Sequence, residues 1–288
     1  MLPTDPWPET VRRAVEIEAM GYDHLWTYDH LSWRRYRDRD WHAAIPWLTG
    51  LAAATSRVRL GTMVATPNFR HPVALAKEAM TLDHVSSGRF VLGVGAGGLG
   101  FDATVLGGSE LGPAERAERF GEFVEALDLL LRQPMTSYRG RHYRIEQARM
   151  LPGCVQQPRL PIAVASAGRR TLALVARYGD AWITYGDPAT DGTARGTEAA
   201  IRRQSEWLSG ACEAAGRDPQ TVDRIFMIGN TDEHPLGSAG EFTDFAGRYA
   251  GLGFTDLVFH HPRPDDPVWN EPSEMVEVIA TDVLPALR

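Results

Sequence analysis

At 288 residues the chain has room for two ordinary domains or for one closed α/β barrel, a fold that reaches about 250 residues as a single unit. A hydrophobic content of 43% and a charged content of 23% exclude a disordered chain. The formal charge of −7 argues against nucleic acid or an anionic membrane surface as the main partner.

No apolar run approaches the roughly 20 residues that a bilayer span requires. The opening MLPTDPWPET lacks the basic and apolar regions of a secretory signal. Cys154 and Cys212, the only cysteines, fit no zinc or CxxC spacing, which points to a reduced, cytoplasmic setting.

In chain order, the first helix is predicted to begin near Trp7 or Pro8. Only Met1 to Pro3 remain ahead of it, so the first strand should be three residues or fewer, as a late start codon or a truncation would leave it. Strands are then predicted at Asp23–Thr27, Val58–Met63, Phe90–Gly95, Pro161–Ala165, Ala181–Thr184, Arg224–Ile228 and Asp256–His260. Most are near-continuously hydrophobic, as parallel strands covered on both faces are. Amphipathic helical patterns lie between them at Pro72–Ser86, Ala114–Arg132, Glu198–Ala215 and Ser273–Leu284. Strands alternating with helices imply right-handed βαβ units. The expected fold is a single TIM-like (β/α)8 barrel domain over residues 1–288, with its first strand short or missing. The segment from Thr136 to Arg159 breaks the alternation and reads as an inserted hairpin excursion, the kind of long connection that tends to be functional.

In such barrels the chemistry sits at the C-terminal ends of the strands. Those ends carry Tyr28, Asp29 and His30, then Met63 to Pro67, Gly95 to Phe101, Ser166 to Arg169, Thr184 to Gly186, Gly229 to Asn230, and His260 with His261. They hold few paired carboxylates, which disfavours a two-acid glycosidase. HExxH, P-loop and G-x-S-x-G signatures are absent. GVGAGG (Gly93–Gly98) matches G-x-G-x-x-G formally, but LGFDATVLGG behind it breaks at Gly107 and Gly108 instead of opening a dinucleotide-binding helix. The glycines are better explained by backbone lying close against something flat or bulky, or by a tight loop with no ligand. Trp33, Tyr36, Trp41 and Trp47 either wall a pocket or belong to a core or interface. Arg34, Arg35, Arg37 and Arg39, interleaved with Asp38 and Asp40, grip an anionic group or form a self-neutralised loop. Adjacent His260 and His261 would face opposite ways on a strand, a poor metal pair, and no metal is expected.

GYDHLWTYDH, RVRLGTMVATPNFRHPVALAKEAMTLDHVSSGRFVLGVGAGG and RYGDAWIT together resemble the luciferase-like monooxygenase superfamily, most closely its oxidoreductases that use the deazaflavin F420. The resemblance is close over roughly residues 8 to 190. It implies a TIM-like barrel, usually a homodimer, binding F420 or FMN at its mouth and acting on a small molecule. Asp29 and His30 match the pair ending the family's second strand, with the imidazole beside the reactive ring face and suited to proton transfer. Met63-Val64 matches a non-prolyl cis dipeptide that forms a bulge behind the ring, and Gly95, Gly97 and Gly98 would position that ring. Ala167, Gly168 and Arg169 match the phosphate loop, a helix N-terminus plus a cation, and Tyr185 a hydroxyl at the same phosphate. The general barrel rule places phosphate later, after strands seven and eight. One departure stands out: the sugar-phosphate dehydrogenase branch carries a Glu and an Asn where this chain has Gly98 and Phe101. The implied activity is hydride transfer between F420 and a small, apolar organic substrate. The alternatives are FMN-dependent monooxygenation and a flavin-binding barrel without turnover.

Overall fold

The computed structural model describes every residue except 188, 230, 231, 264 and 288, and the side chain of Arg35. Asn230 and the Arg35 side chain, both singled out above, therefore lie outside the described residues. The chain divides into two compact units. Unit 1 holds residues 1–18, 23–165 and 177–180, and unit 2 holds 19–22, 166–176 and 181–288.

Unit 1 is built from α1 (Trp7–Ala19), β1 (His24–Thr27), α2 (Ala44–Ala54), β2 (Arg59–Thr62), α3 (Pro72–Val85), β3 (Phe90–Val94), α4 (Phe101–Thr104) and α5 (Pro113–Arg132). β4 (Met135–Arg139), β5 (Arg144–Arg149) and β6 (Ile162–Ala165) follow. Among the described residues no strand precedes α1. The parallel strands run β1-β2-β3-β6, with Leu25 opposite Leu60, Leu60 opposite Phe90 and Leu92 opposite Ile162. β3 is buried along its whole length, which is why its sequence shows no alternation. Two strand glycines make room for neighbours. A Cβ at Gly61 would lie 2.2 Å from the Trp26 ring, and one at Gly93 would lie 1.8 Å from the Thr62 carbonyl oxygen.

Two charged residues of the RVRLGT…SSGRF segment, Arg89 and Asp83, are braces at the ends of these elements. Arg89 donates to the carbonyls of Ala52 (2.7 Å), Thr55 (3.0 Å), Val58 (2.8 Å) and Ser86 (2.8 Å), satisfying the exposed C-terminal end of α2. Asp83, fully buried, accepts from the backbone N–H of Val155 (2.7 Å) and Gln156 (3.1 Å) and from the Gln156 side chain (2.7 Å). The inserted excursion is thus fastened to α3. Its first half is the antiparallel hairpin β4–β5, whose turn is held by Glu122 accepting from the N–H of Arg141, His142 and Tyr143.

α2 and α8 (Ala239–Gly251) are helices that the sequence reading does not name, and for α2 the reason is burial. Ala44, Ile45, Trp47, Leu48, Leu51 and Ala52 are all buried, so it has no polar stripe to create a period. Trp47 accordingly belongs to the core, at 3% exposure.

Unit 2 contains the parallel strands β7 (Ala181–Thr184), β8 (Asp223–Met227) and β9 (Asp256–Val258), paired in that order. Its helices are α6 (Arg169–Tyr178, whose last residues fall in unit 1), α7 (Ala194–Ala214), α8 (Ala239–Gly251), α9 (Met275–Val278) and α10 (Leu284–Leu287). Its core centres on Phe226 stacked on Tyr249 with ring centroids 4.1 Å apart, flanked by Phe245 and Phe254. Two helix boundaries differ from expectation. α7 starts four residues before Glu198, because the Thr193 hydroxyl accepts from the Gly196 N–H and caps it there. The helix expected over Ser273–Leu284 is divided by a π-helical turn at Ile279–Val283. The chain stays helical through that turn, and Pro285 follows two residues after it. Among the described residues, no helix is long and apolar enough to cross a membrane.

Candidate active site

The unit 1 residues gather around the loop that leaves β1. Asp29 is fully buried, and both its carboxylate oxygens are taken by Arg70, from Nε at 2.9 Å and Nη2 at 2.7 Å. Burial opposes the Arg70 charge, but the hydrogen bond and charge of Asp29 outweigh it and raise the guanidinium above its ordinary value. Of the adjacent pair, Asp29 therefore fixes the loop and His30 is left to face outward. The Nδ1 atom of His30 meets Oδ2 of Asp102, whose Oδ1 accepts from the Leu31 N–H at 3.2 Å. Asp102 lies on α4, the single helical turn that does follow the glycine-rich segment. Sequence reasoning stopped at Phe101 and missed it. The available signal was an acidic residue directly behind a glycine turn at a strand's C-terminal end.

Aromatic rings close around the imidazole. Trp33 stacks on His30 with centroids 6.0 Å apart and planes 22° apart, while Tyr28 and Trp41 present edges at 6.2 Å. Tyr36 in turn stacks on Trp33 at 6.1 Å. Trp33, Tyr36 and Trp41 thus form a wall beside His30. The arginines of this loop serve the wall: Arg34 lies over Trp33, Arg39 over Tyr36 and Arg37 over Phe101, at 5.1, 5.8 and 4.7 Å from the ring centroids.

The Met63-Val64 peptide bond is cis. The Met63 N–H donates to the Thr27 carbonyl at 2.8 Å, tying this dipeptide to the end of β1. The neighbouring glycines have distinct reasons to be glycine. A Cβ at Gly95 would strike Val64 Cγ2 at 2.5 Å, and one at Gly97, where φ is +77°, would strike Asn68 Oδ1 at 2.6 Å. Asn68 is itself fixed, donating to the Gly98 carbonyl at 3.0 Å and accepting from Arg119 at 2.7 Å. At Gly98, by contrast, a Cβ would meet nothing within 4 Å. Close packing against protein explains Gly95 and Gly97, whereas Gly98, like Gly100, opens onto free space. The buried Thr27 hydroxyl at the end of β1 has no hydrogen-bond partner among the described residues.

In unit 2 the loop after β6 is pinned by Ser166. Its N–H donates to the Ile183 carbonyl at 3.1 Å, its carbonyl accepts from Trp182 Nε1 at 2.8 Å, and its hydroxyl meets that of Thr171 at 2.6 Å. Ala167 and Gly168 lead directly into Arg169, the first residue of α6, so this loop presents N–H groups at a helix start. Arg169 and Arg203 lie over the same Trp207 ring, at 5.3 and 5.5 Å. Tyr185 is half-exposed beyond β7. The turn that carries it is held by buried Gln204, which accepts from the Thr184 hydroxyl at 2.8 Å and donates to the Gly186 carbonyl at 3.1 Å.

Beyond β9, His260 stacks on Trp269 at 4.3 Å. Burial and the nearby Arg263 push its imidazole down to about 3, so it is neutral near pH 7. His261 turns its Nδ1 to the Pro262 carbonyl at 3.0 Å. Among the described residues, no group of three or more His, Cys, Asp or Glu side chains is arranged to hold a metal ion.

The model of the luciferase-like monooxygenase family matches residues 1–231. The chain belongs to this family. Among its relatives is a protein of Kineococcus radiotolerans named F420-dependent glucose-6-phosphate dehydrogenase, 28% identical over 318 aligned positions that cover 96% of this chain and 91% of that one. Among solved structures, an F420-dependent secondary alcohol dehydrogenase in complex with an F420-acetone adduct superimposes with a TM-score of 0.80 at 16% identity, covering 99% of this chain and 96% of the other. The oxygenating constituent of 3,6-diketocamphane monooxygenase of Pseudomonas putida, in complex with FMN, gives a TM-score of 0.68 at 18% identity over 97% and 92% of the two chains. At these identities the structures establish the fold. It is the family's TIM-like parallel α/β barrel, carried here by seven parallel strands among the described residues.

Proposed function

We propose that this chain is an F420-dependent oxidoreductase that moves a hydride between the deazaflavin and a small, largely apolar alcohol or carbonyl compound. What carries the assignment is His30, an acid–base group in the loop leaving β1 that is set in an aromatic wall. The relatives named as F420-dependent dehydrogenases support the choice of cofactor. When bound, F420 supplies a two-electron hydride carrier. The residues present fit such a group. Gly98 leaves room for a flat ring, the Thr27 hydroxyl is a buried polar atom without a partner among the described residues, and the Met63-Val64 segment is tied to the end of β1. Ala167, Gly168 and Arg169 would hold the phosphate through N–H groups and a cation, with the Tyr185 hydroxyl beside them. Asp29 would act through Arg70 and the loop, since its oxygens are already engaged.

His30 would take the hydroxyl proton in oxidation and return it in reduction, while the aromatic wall excludes water and orients an apolar substrate. A sugar phosphate is not assigned as substrate, because Gly98 and Phe101 replace the Glu and Asn of that branch and Phe101 is covered by Arg37. The FMN-bound monooxygenase among the structural neighbours favours a second reading, FMN-dependent oxygenation. Titration of the purified chain with F420 and FMN, followed by fluorescence, separates the two: F420 is expected to bind and FMN to bind far more weakly, and the reverse order refutes the proposal. His30→Ala is expected to lower F420-linked turnover about 10²- to 10⁴-fold with the cofactor still bound. Unchanged turnover would remove His30 from the chemistry.

A further inference from the structure

We propose that Asp102 is a positioning residue that holds His30 as the Nδ1–H tautomer, leaving Nε2 as the atom that exchanges the substrate's proton. The kinetic part of this inference rests on the oxidoreductase assignment above, whereas the part concerning the ring does not.

An ionised carboxylate only accepts hydrogen bonds. With Oδ2 of Asp102 against Nδ1 of His30, the ring nitrogen must carry the proton. The second oxygen is not idle, since it accepts from the Leu31 N–H at 3.2 Å. One side chain thereby fixes the imidazole and the backbone of the residue that follows it. Asp102 is the more shielded partner, at 11% side-chain exposure against 29% for His30, and Nε2 is the ring nitrogen that the carboxylate does not engage. Trp33 lies nearly parallel to that ring at 22°, and Tyr28 and Trp41 meet it edge-on. The aromatic wall thus restricts the ring's plane while Asp102 selects its protonation.

Gly98 carries no side chain, and one there would meet nothing within 4 Å. Four residues further on, α4 supplies a carboxylate that is engaged on the imidazole. In alcohol oxidation a bound oxidised deazaflavin would supply the two-electron acceptor, taking the carbinol hydrogen with its electron pair as hydride. The O–H proton goes to Nε2, and C–O becomes C=O. The imidazolium so formed keeps its Nδ1–H against the Asp102 carboxylate. Carbonyl reduction runs the same steps backward.

Asp102→Asn is the discriminating variant. Its side chain offers one acceptor where two are needed. If the oxygen serves Leu31, the amide donates to Nδ1 and forces the proton onto Nε2. If the oxygen serves Nδ1–H, two N–H donors confront each other at Leu31. The ring is read by long-range ¹H–¹⁵N correlation of histidine-labelled protein without cofactor, at a pH where the imidazole is neutral, with His30→Gln assigning the signal. The wild type is expected to show Nδ1–H and Asp102→Asn to lose it. In turnover with F420, Asp102→Asn is expected to lower kcat about 10- to 100-fold at unchanged KM, with Asp102→Glu recovering part of the loss. An Nε2–H ring in the wild type, or an Asn variant with unchanged spectrum and kcat, overturns the proposal. Should the Asn variant fail to fold, the wild-type spectrum alone decides. A wild type that shows Nδ1–H but neither binds nor turns over F420 refutes the oxidoreductase assignment and leaves the pairing standing.

Discussion

A buried imidazole that stays neutral leaves a trace in how stability depends on pH, and His260 is placed to leave one. It is stacked on Trp269, and burial together with Arg263 lowers it from an ordinary 6.5 to about 3. As pH falls below about 6.5, the unfolded chain takes up a proton at this position that the folded chain refuses. Stability is therefore lost progressively from pH 6.5 toward 3. Asp266 acts lower on the scale. Burial would raise it, but hydrogen bonds from the Val268 and Trp269 N–H groups and from Arg263 bring it down from 3.8 to about 2, so its contribution fades only between about 4 and 2. Denaturant midpoints measured between pH 7 and 4 should fall more steeply for the wild type than for His260→Gln. Parallel curves would show that His260 is not held neutral.

At the scale of elements, two glycines, Gly93 inside β3 and Gly98 in the turn beyond it, make opposite predictions. A methyl group at Gly93 would press on the Thr62 carbonyl at 1.8 Å, and backbone cannot yield as a side-chain tip can. Gly93→Ala should cost about 3 kcal/mol or more in denaturant unfolding. Gly98→Ala meets nothing within 4 Å and should change stability by less than about 0.5 kcal/mol, yet weaken F420 binding if the ring lies there. Full F420 affinity in Gly98→Ala would take Gly98 out of the cofactor site. The strands were legible from sequence because burial on both faces writes itself as unbroken apolar runs, and each expected strand has an observed one within two residues of its bounds. α2 was not, since a helix buried on most sides has no polar face to announce it. The bounds of α7 depended on a threonine cap, local chemistry that a hydrophobic pattern does not carry. Arg89 and Asp83 were legible as markers of kinship, but their work as braces appears only once their partners are brought near.

Across the whole molecule the same division holds. The alternation of apolar runs and amphipathic segments sufficed for the fold class, because each βα unit repeats one rule. The site depends on pairs that no local pattern encodes: His30 and Asp102 are 72 positions apart, Asp29 and Arg70 41 apart. Family resemblance gave a role to one member of each pair and none to the other. The cofactor assignment can be tested on the entire chain through mass action. A ligand that binds only the folded state stabilises it by an amount fixed by its concentration and Kd, about 2.7 kcal/mol at a hundredfold excess over Kd. With Kd taken from fluorescence titration, the expected shift has no adjustable quantity. Unfolding by denaturant, monitored by tryptophan fluorescence and by circular dichroism, should move by that amount with F420 in every transition that releases the cofactor. FMN at the same concentration should move it far less. An F420 titration that saturates in fluorescence while leaving every unfolding midpoint in place would mean that the dye-like signal comes from something other than binding to the folded chain, and the assignment would fall with it.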